Sequence, residues 1–404
     1  MPEAVIVATS RTPIGRANKG SLVNVRPDDM AAFALKDVMS KVPELDASLV
    51  EDVIMGCGQP GGEAGYNVGR VAALLAGIDV PGVTVNRYCS SSLQTIRMAA
   101  HAIKAGEGDV FISAGVETVS RYMNGAADTG PHNPLFTEAE ARTADRTEGG
   151  KGDWAPPAGL PDIYIAMGQT AENVAEYEGV SRAEMDEFGA LSQNRAEKSL
   201  ENGFWEHEVT PIPATDAEGN EVLVIQDDGI RPGTTVEGLA KLKPAFRPDG
   251  TVTAGNACPL NDGAAAVVVM SDAKANELGI TPLARIVSSG VSAVNPEIMG
   301  LGPVEACRQA LKRAGMTIEN IDLVEINEAF AAQVIPSARH LGIPWDKLNV
   351  NGGSIALGHP FGMTGARIMT TLIHGLQDAD KTFGLESMCV GGGQGMAMVV
   401  ERVS

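Results

Sequence analysis

The stretch "VNRYCSSSLQTI", residues Val85 to Ile96, decides the fold. A short apolar run ends at Val85, Cys89 precedes three serines, and apolar residues at helical spacing begin at Leu93. The pattern predicts a strand, a tight loop and a helix, with the thiol at the start of the helix. Ser90 is expected to cap that helix. Junctions of this kind build α/β folds, and ligands commonly bind at the carboxyl ends of their strands.

The composition is typical of an α/β protein rich in small residues, because 44% of the chain is hydrophobic, 4% is aromatic and 47 residues are glycine. The net charge of −20 disfavours nucleic acid and anionic membranes as partners. No apolar run approaches the roughly 20 residues of a membrane span, and the N-terminal residues lack a signal-peptide pattern. We expect a soluble, cytoplasmic protein that binds neither nucleic acid nor membrane.

The cysteines are scattered and odd in number, and none forms a CxxC pair or a His/Cys cluster of the zinc-binding kind. The sequence therefore predicts no metal site and no disulfide framework. Each thiol is interpreted either as a small buried hydrophobe or as a reactive group. The five are Cys57, Cys89, Cys258, Cys307 and Cys389.

The two ends of the chain resemble each other at a spacing of roughly 270 residues, which indicates an internal duplication. "VTVNRYCSSSLQTIRMAAHAI" matches "LNVNGGSIALGHPFGMTGARIMTTLIHGL", since each has a strand ending in Val-Asn, a loop of small residues and a helix. We predict two βαβ-containing halves with right-handed crossovers. Residues 1–119 form the first half, 120–250 an inserted loop domain, 251–272 the closing strand of the first half, and 273–404 the second half.

Two interpretations of Cys89 stay open from its local sequence alone. Cysteine is among the residues most often buried in cores, so a structural role is the ordinary expectation. At a helix start, however, the macrodipole and the unpaired N–H groups favour the reactive thiolate. His359 lies in a glycine-rich loop, "GGSIALGHPFGMTGA", that is equivalent by repeat to the loop of Cys89. We therefore favour a catalytic role for this histidine over a satisfied core position.

Two further strand ends carry polar or reactive groups. In "MCVGGGQGM", Cys389 ends an apolar strand before three glycines, whose N–H groups can serve as oxyanion donors. In "EINEAFAAQ", Asn327 and Glu328 follow a strand, although an ordinary helix start explains them equally well. A GxGxxG match at Gly56 to Gly61 is rejected as a dinucleotide site, because Pro60 lies inside it and more glycines follow before any helix.

The chain resembles the thiolase family on four motifs in the family's order and spacing: "NRYCSSSLQ", "NEAFAAQ", "GHPFGMTGA" and "CVGGGQG". "TAGNACPLNDGAAA" (Thr253 to Ala266) is similar to another family segment, and the likeness runs essentially from end to end. The resemblance implies duplicated halves in a layered α/β/α/β/α core with an inserted loop domain. It also implies an acyltransferase that uses coenzyme A as a co-substrate, with no tightly bound cofactor.

The resemblance also implies catalytic roles. Cys89 is expected to be the nucleophile that carries the acyl group, and His359 takes its proton. Cys389 is expected to be the acid and base at carbon. One oxyanion hole would consist of the His359 side chain and a water held by Asn327, and the other of the backbone N–H groups of Cys89 and Gly391.

For coenzyme A, the resemblance places Arg231 beside the nucleotide end, with Ala254, Cys258 and Met167 along the bound arm. Arg231 belongs to a basic cluster in "GIRPGTTVEGLAKLKPAFRPDG" that is unusual in so acidic a chain, although a solvated charged surface is the plainer interpretation. The remaining members of this cluster are Lys241, Lys243 and Arg247.

Departures from the family pattern bear on substrate choice. Many short-chain biosynthetic thiolases have histidine where this chain has Ala166, which favours a degradative 3-ketoacyl-CoA thiolase with longer or bulkier substrates. A short-chain acetoacetyl-CoA thiolase and a non-catalytic thiolase-like lipid-binding protein remain alternatives. A condensing enzyme acting on carrier-protein thioesters is disfavoured, because such enzymes use a second histidine where this chain has Cys389. A homodimer or homotetramer is expected from the family.

Overall fold

A computed structural model of the chain describes residues 2–122, 129–149, 153–216 and 219–404. Parts of the expected loop domain, residues 123–128, 150–152 and 217–218, lie outside these ranges. The strands are β1 Ala4–Arg11, β2 Gly15–Arg16, β3 Asp52–Gly56, β4 Gly82–Val85, β5 Val110–Thr118, β6 Ile212–Thr215, β7 Glu221–Val224, β8 Asn261–Ser271, β9 Ala284–Ala293, β10 Leu323–Ile326, β11 Phe383–Val390 and β12 Gln394–Arg402.

The α-helices lie between these strands, singly or in runs of up to three. They are α1 Pro27–Ser40, α2 Val68–Leu75, α3 Ser91–Ala105, α4 Thr137–Thr147, α5 Met167–Glu178, α6 Arg182–Glu201, α7 Val236–Leu239, α8 Asp272–Leu278, α9 Gly302–Ala314, α10 Ala331–Leu341, α11 Ser354–Leu357 and α12 Thr364–Asp378. None of the described helices is both long enough and apolar enough to cross a membrane.

The duplication is visible in the strand order of the sheet, which runs β10-β11-β12-β9-β1-β8-β5-β3-β4. In the first half β3 and β5 pair in parallel, and β8 joins β5 to β1 through antiparallel pairs. In the second half β10 and β11 pair in parallel, and β12 joins β11 to β9 in the same antiparallel manner. A parallel bridge from Val324 to Leu348 takes the place that β4 has beside β3.

The two halves meet at β1 and β9, which pair through Val5 with Arg285 and Ile6 with Ala284. Side chains of β8 alternate between two cores: Val268 faces the cluster beneath α1 and α2, whereas Val267 faces the central cluster. The central cluster contains residues of α3 and α12 packed against strands of both halves. A third cluster holds α9 and α10 on the outer face of the second half. These clusters define helix, sheet, helix, sheet and helix layers, as expected.

The central helices α3 and α12 touch at their first turns. The backbone N–H of Ala366 donates to the Ser92 hydroxyl at 2.9 Å. A Cβ atom at Gly365 would lie 2.3 Å from the backbone nitrogen of Leu93, so only glycine permits this approach. Because the loops of Cys89 and His359 lead directly into these helices, the close contact brings both loops to one end of the central layer.

Candidate active site

A strained turn presents Cys89. Tyr88, immediately before it, has a φ of 41°, in the left-handed region that side chains other than glycine rarely adopt. Asn86 accepts a hydrogen bond from the Tyr88 N–H, and the Ser91 hydroxyl accepts from the Arg87 N–H while donating to the Tyr88 carbonyl. These bonds hold the turn, so that Cys89 lies just before α3 with only 7% of its surface exposed.

Two details of the Cys89 loop differ from expectation. The Ser90 side chain does not cap α3 but donates to the Arg87 carbonyl. Burial raises the pKa of the Cys89 thiol to about 11, although the N–H groups of Gly391 and of Cys89 itself favour the thiolate. Desolvation outweighs the field of the helix start, because it acts on the whole charge and the N–H donors offset only part of it. Cys89 therefore rests as a thiol, and it would need a base to act as a nucleophile.

His359 lies in the equivalent loop of the second half. Its backbone N–H donates to the Asn261 side chain at 2.9 Å, and a Cβ at Gly358 would collide with that same side chain. Gly358 also has a φ of 119°, so this position requires glycine. Burial and the charge of Arg367 lower the pKa of His359 to about 3. The imidazole is neutral, which is the form a general base requires.

Asn327 follows β10 and lies against the imidazole. Its amide nitrogen is 3.2 Å from His359 Nε2, and its carbonyl oxygen accepts from the Ser354 hydroxyl at 2.6 Å. Glu328, the other polar residue of this strand end, is buried and accepts hydrogen bonds from Ser192 and Asn349. Asn327 therefore faces the site, whereas Glu328 anchors the end of β10 through its hydrogen bonds with Ser192 and Asn349.

Three thiols gather at the site. Burial raises the pKa of Cys389 well above its ordinary value, and the nearby charges of Cys89 and Cys258 raise it further. Gly391, just beyond β11, packs under the ring of Tyr88 and directs its N–H at the Cys89 sulfur. This geometry brings together the predicted nucleophile, the predicted acid and base, and both donors of one predicted oxyanion hole.

Glu117 was not singled out from the sequence, yet it links the loop after β3 to the loop of His359. It lies near the end of β5 among apolar neighbours and accepts hydrogen bonds from the N–H groups of Gly58 and Gly362 at 2.7 and 2.8 Å. A buried carboxylate inside an apolar strand was the available sequence signal. Asn261 was also missed, although it belongs to the family-like segment from Thr253 to Ala266.

A cavity of about 570 Å³ adjoins the thiols. Arg231, Ala254 and Cys258 line it as expected, and Cys258 is close enough to Cys89 for their charges to interact. Arg16 and Lys19, which the sequence analysis missed, add two cations to the lining. Met167, the remaining residue expected along the bound coenzyme A, is not among the lining residues. It packs on the hydrophobic cluster that contains Cys389.

The predicted basic cluster is divided in the structure. Arg247 is buried and pairs with Glu176 at 2.7 Å, and it also donates to Gln169 and Asn173. Its guanidinium is therefore committed to the α5 helix, which corrects its assignment to a phosphate-binding cluster. Lys241 and Lys243 are exposed and are absent from the cavity lining. In the described part of the chain, no group of three His, Cys, Asp or Glu side chains is arranged to hold a metal ion.

The fold is that of a duplicated α/β enzyme, and comparison with known proteins identifies its class. Residues 4–273 match the family model of the thiolase N-terminal domain, and residues 280–402 match that of the thiolase C-terminal domain. The chain belongs to the thiolase family.

Similar proteins span the whole chain. A 3-ketoacyl-CoA thiolase of Bacillus subtilis (strain 168) is 43% identical over 99% of this chain and 100% of its own length. A 3-oxoadipyl-CoA/3-oxo-5,6-dehydrosuberyl-CoA thiolase of Escherichia coli (strain K12) is 44% identical over 100% of both chains. The crystal structure of the Bacillus anthracis acetyl-CoA acetyltransferase matches with a TM-score of 0.85 at 39% identity, over 100% of this chain and 99% of that one. The protein is thus an acyltransferase.

Proposed function

We propose that the protein catalyses CoA-dependent thiolytic cleavage of 3-ketoacyl-CoA, and the reverse Claisen condensation, through an acyl group on Cys89. The convergence at Cys89 of two backbone N–H donors and a second thiol, Cys389, supports this most directly. A thiolate is a strong nucleophile and also a good leaving group. Reversible carbon–carbon cleavage beside a thioester requires both properties.

In the first half-reaction His359 Nε2 takes the Cys89 proton, and the sulfur attacks the 3-keto carbon. The N–H groups of Cys89 and Gly391 stabilise the oxyanion. The C2–C3 bond then breaks, its electron pair stays on C2, and Cys389 supplies the proton that completes acetyl-CoA. The raised pKa of Cys389 keeps this thiol protonated, as an acid must be.

In the second half-reaction the Cys389 thiolate removes the thiol proton of coenzyme A. The new thiolate attacks the acyl group on Cys89, the shortened acyl-CoA leaves, and Cys89 recovers its proton from His359. His359 and the amide of Asn327, 3.2 Å apart, face the carbonyl that becomes the enolate oxygen of acetyl-CoA.

The roles of Cys389 and His359 can be separated by single-turnover acylation with acetyl-CoA, followed by intact mass. Cys389→Ala is expected to acquire one acetyl group on Cys89 yet fail in thiolysis and condensation, with a loss of at least about 10²–10⁴-fold. His359→Ala is expected to slow acylation itself. Cys307→Ala removes a buried thiol that the proposed mechanism does not use and serves as the matched control. Acylation abolished by Cys389→Ala but intact in His359→Ala would reverse the roles.

We propose that the cavity binds coenzyme A, with Arg231, Arg16 and Lys19 meeting its phosphates. Each charge-assisted hydrogen bond contributes about 1.5–3 kcal/mol, so Arg231→Gln is expected to raise the KM for coenzyme A about tenfold or more. The control is Arg70→Gln, which removes a half-buried arginine outside the cavity. An equal rise in KM in both variants would indicate a general charge effect rather than a binding site.

For the substrate we propose 3-ketoacyl chains longer or bulkier than acetoacetyl. Ala166, at the start of α5, puts a methyl group where short-chain relatives carry an imidazole, and the names of the Bacillus and Escherichia coli relatives specify 3-ketoacyl-CoA and 3-oxoadipyl-CoA. Thiolysis rates are to be compared on acetoacetyl-, 3-ketohexanoyl-, 3-ketodecanoyl- and 3-oxoadipyl-CoA. A preference for acetoacetyl-CoA that Ala166→His leaves unchanged would favour the short-chain alternative.

We further propose a cytoplasmic homodimer or homotetramer that acts in fatty-acid β-oxidation. All five cysteines are free, which suits a reducing compartment. Light scattering at micromolar concentration would measure the assembly, and a monomer that retains full activity would contradict this part of the proposal.

A further inference from the structure

We infer that Thr364 and the pair Ser354–Arg367 are positioning residues that hold His359 in one tautomer, with the proton on Nδ1 and the lone pair on Nε2. This inference rests on the proposed role of His359 as the base for Cys89. It is drawn from two hydrogen-bond chains that meet at the imidazole and whose donor directions can be read independently.

The first chain begins at Arg367, in the first turn of α12. Its Nη2 donates to the Ser354 hydroxyl at 2.8 Å, and a guanidinium has no acceptor, so the direction of this bond is unambiguous. The hydroxyl must then point its own proton at the Asn327 carbonyl oxygen, 2.6 Å away. With its oxygen engaged, the Asn327 amide turns its NH₂ toward the imidazole, 3.2 Å from Nε2 and 3.4 Å from Nδ1. This donor faces both ring nitrogens, so the choice of tautomer depends on the partner of Nδ1.

The second chain reaches Nδ1. The Thr364 hydroxyl donates to the Pro360 carbonyl at 2.7 Å, and a carbonyl can only accept. Thr364 Oγ1 is therefore free to accept from His359 Nδ1, also at 2.7 Å. A proton on Nδ1 satisfies this contact. The Thr364 contact thus specifies the tautomer with its lone pair on Nε2, and the Asn327 donor is compatible with it because a ring protonated on Nδ1 can accept only at Nε2. This is the tautomer that can take a proton from the thiol.

Arg367 is otherwise difficult to explain as a structural residue. It is 1% exposed, and within the described ranges its Nε and Nη1 atoms have no hydrogen-bond partner. The carboxyl groups of Glu325 and Glu386 are near enough to interact with its charge, and neither bonds to it directly. Burying an arginine is costly. Its one hydrogen bond to a side chain leads to the catalytic asparagine, which explains why it is placed there.

The test uses single-turnover acylation by acetyl-CoA with Thr364→Val, Thr364→Ser and Ser354→Ala. Thr364→Val and Ser354→Ala are expected to slow acylation about 10- to 100-fold, less than the full contribution of a general base, without raising the KM for acetyl-CoA. Thr364→Ser keeps the hydroxyl and should restore the rate to within about twofold. Thr370→Val is the matched control, because Thr370 donates to a carbonyl four residues back in the same helix, as Thr364 does.

The outcomes separate this inference from the proposed function. No acyl-Cys89 in the wild-type protein would overturn the function and the inference together. Normal acylation in both Thr364→Val and Ser354→Ala, or a slow Thr364→Ser, would overturn the inference alone. Adding Arg367→Met to Ser354→Ala provides a further test. Two members of one chain should be no slower together than the slower single variant, and multiplying losses would show that they act separately.

Discussion

The neutrality of His359 leads to a pH prediction that differs sharply from ordinary histidine chemistry. A histidine with a pKa of 6.5 is only about 3% neutral at pH 5. Burial lowers the pKa of His359 to about 3, so that about 99% of the imidazole stays neutral at the same pH. The acylation step should therefore lack an acid limb near pH 6.5. We expect its rate at pH 5 to remain within about twofold of the rate at pH 8 as far as His359 is concerned.

The assay is single-turnover acetylation of Cys89 from pH 5 to 8 by quenched intact mass, which isolates the step in which we propose that His359 acts as the base. The matched control is His207→Gln, which removes an exposed histidine outside the site and should leave the profile unchanged. A rate that falls tenfold per pH unit below 6.5 would show that His359 titrates normally, and the burial argument would be wrong.

The same shift has a thermodynamic consequence. Below pH 6.5 the unfolded chain binds a proton at His359 that the folded chain does not accept until about pH 3. The stability contributed by this residue is therefore complete above pH 6.5 and is lost as the pH falls from 6.5 toward 3. Between pH 7 and pH 5 the loss from this group is about 2 kcal/mol. Urea unfolding of wild type and His359→Gln should show that difference, and equal pH slopes would contradict it.

Two further predictions concern the frame that holds the site. Gly365→Ala should lower the free energy of unfolding by about 1–3 kcal/mol, because its Cβ would meet the Leu93 backbone; Gly159→Ala, which has open space, should change it by less than about 0.5 kcal/mol. Arg11→Met should lower the free energy of unfolding in urea by about 3–5 kcal/mol, because it leaves two fully buried carboxylates without their partner. Arg26→Met, at an exposed pair, should lower it by about 1 kcal/mol or less. Equal effects within either pair would contradict the packing or the burial that we describe.

Much of the site could be predicted because its signals are local. Cys89 follows β4 and precedes α3, and His359 precedes α12, and the repeat places the two loops in equivalent positions. The strand that the repeat predicted before the His359 loop is reduced to a single bridge at Leu348. The pKa of Cys89 could not be predicted in this way. The sequence shows the helix start that favours a thiolate. The burial that outweighs it arises from packing against Gly391, which is distant along the chain, and Tyr88, which has a strained backbone.

The partners of charged side chains were the other feature that could not be predicted from the sequence. Arg247 lies among basic residues in the sequence, yet it folds against Glu176, which is 71 positions earlier. Arg16 and Lys19 lie far from the expected cluster and line the cavity nonetheless. Ser354 and Arg367 flank the histidine motif, but their relation to Asn327 depends on how β10 is placed beside α12. Periodicity reports which surface of an element is buried, and it does not report which distant group a charge meets there.

The pairing of β1 with β9 joins two halves that share an architecture but have diverged in chemistry. The first half carries Cys89, the proposed carrier of the acyl group, and the second carries His359 and Cys389, which we propose move protons. Two copies of either half would present one kind of group twice and lack the other. A chain divided between residues 273 and 280 should accordingly regain turnover only when both pieces are mixed.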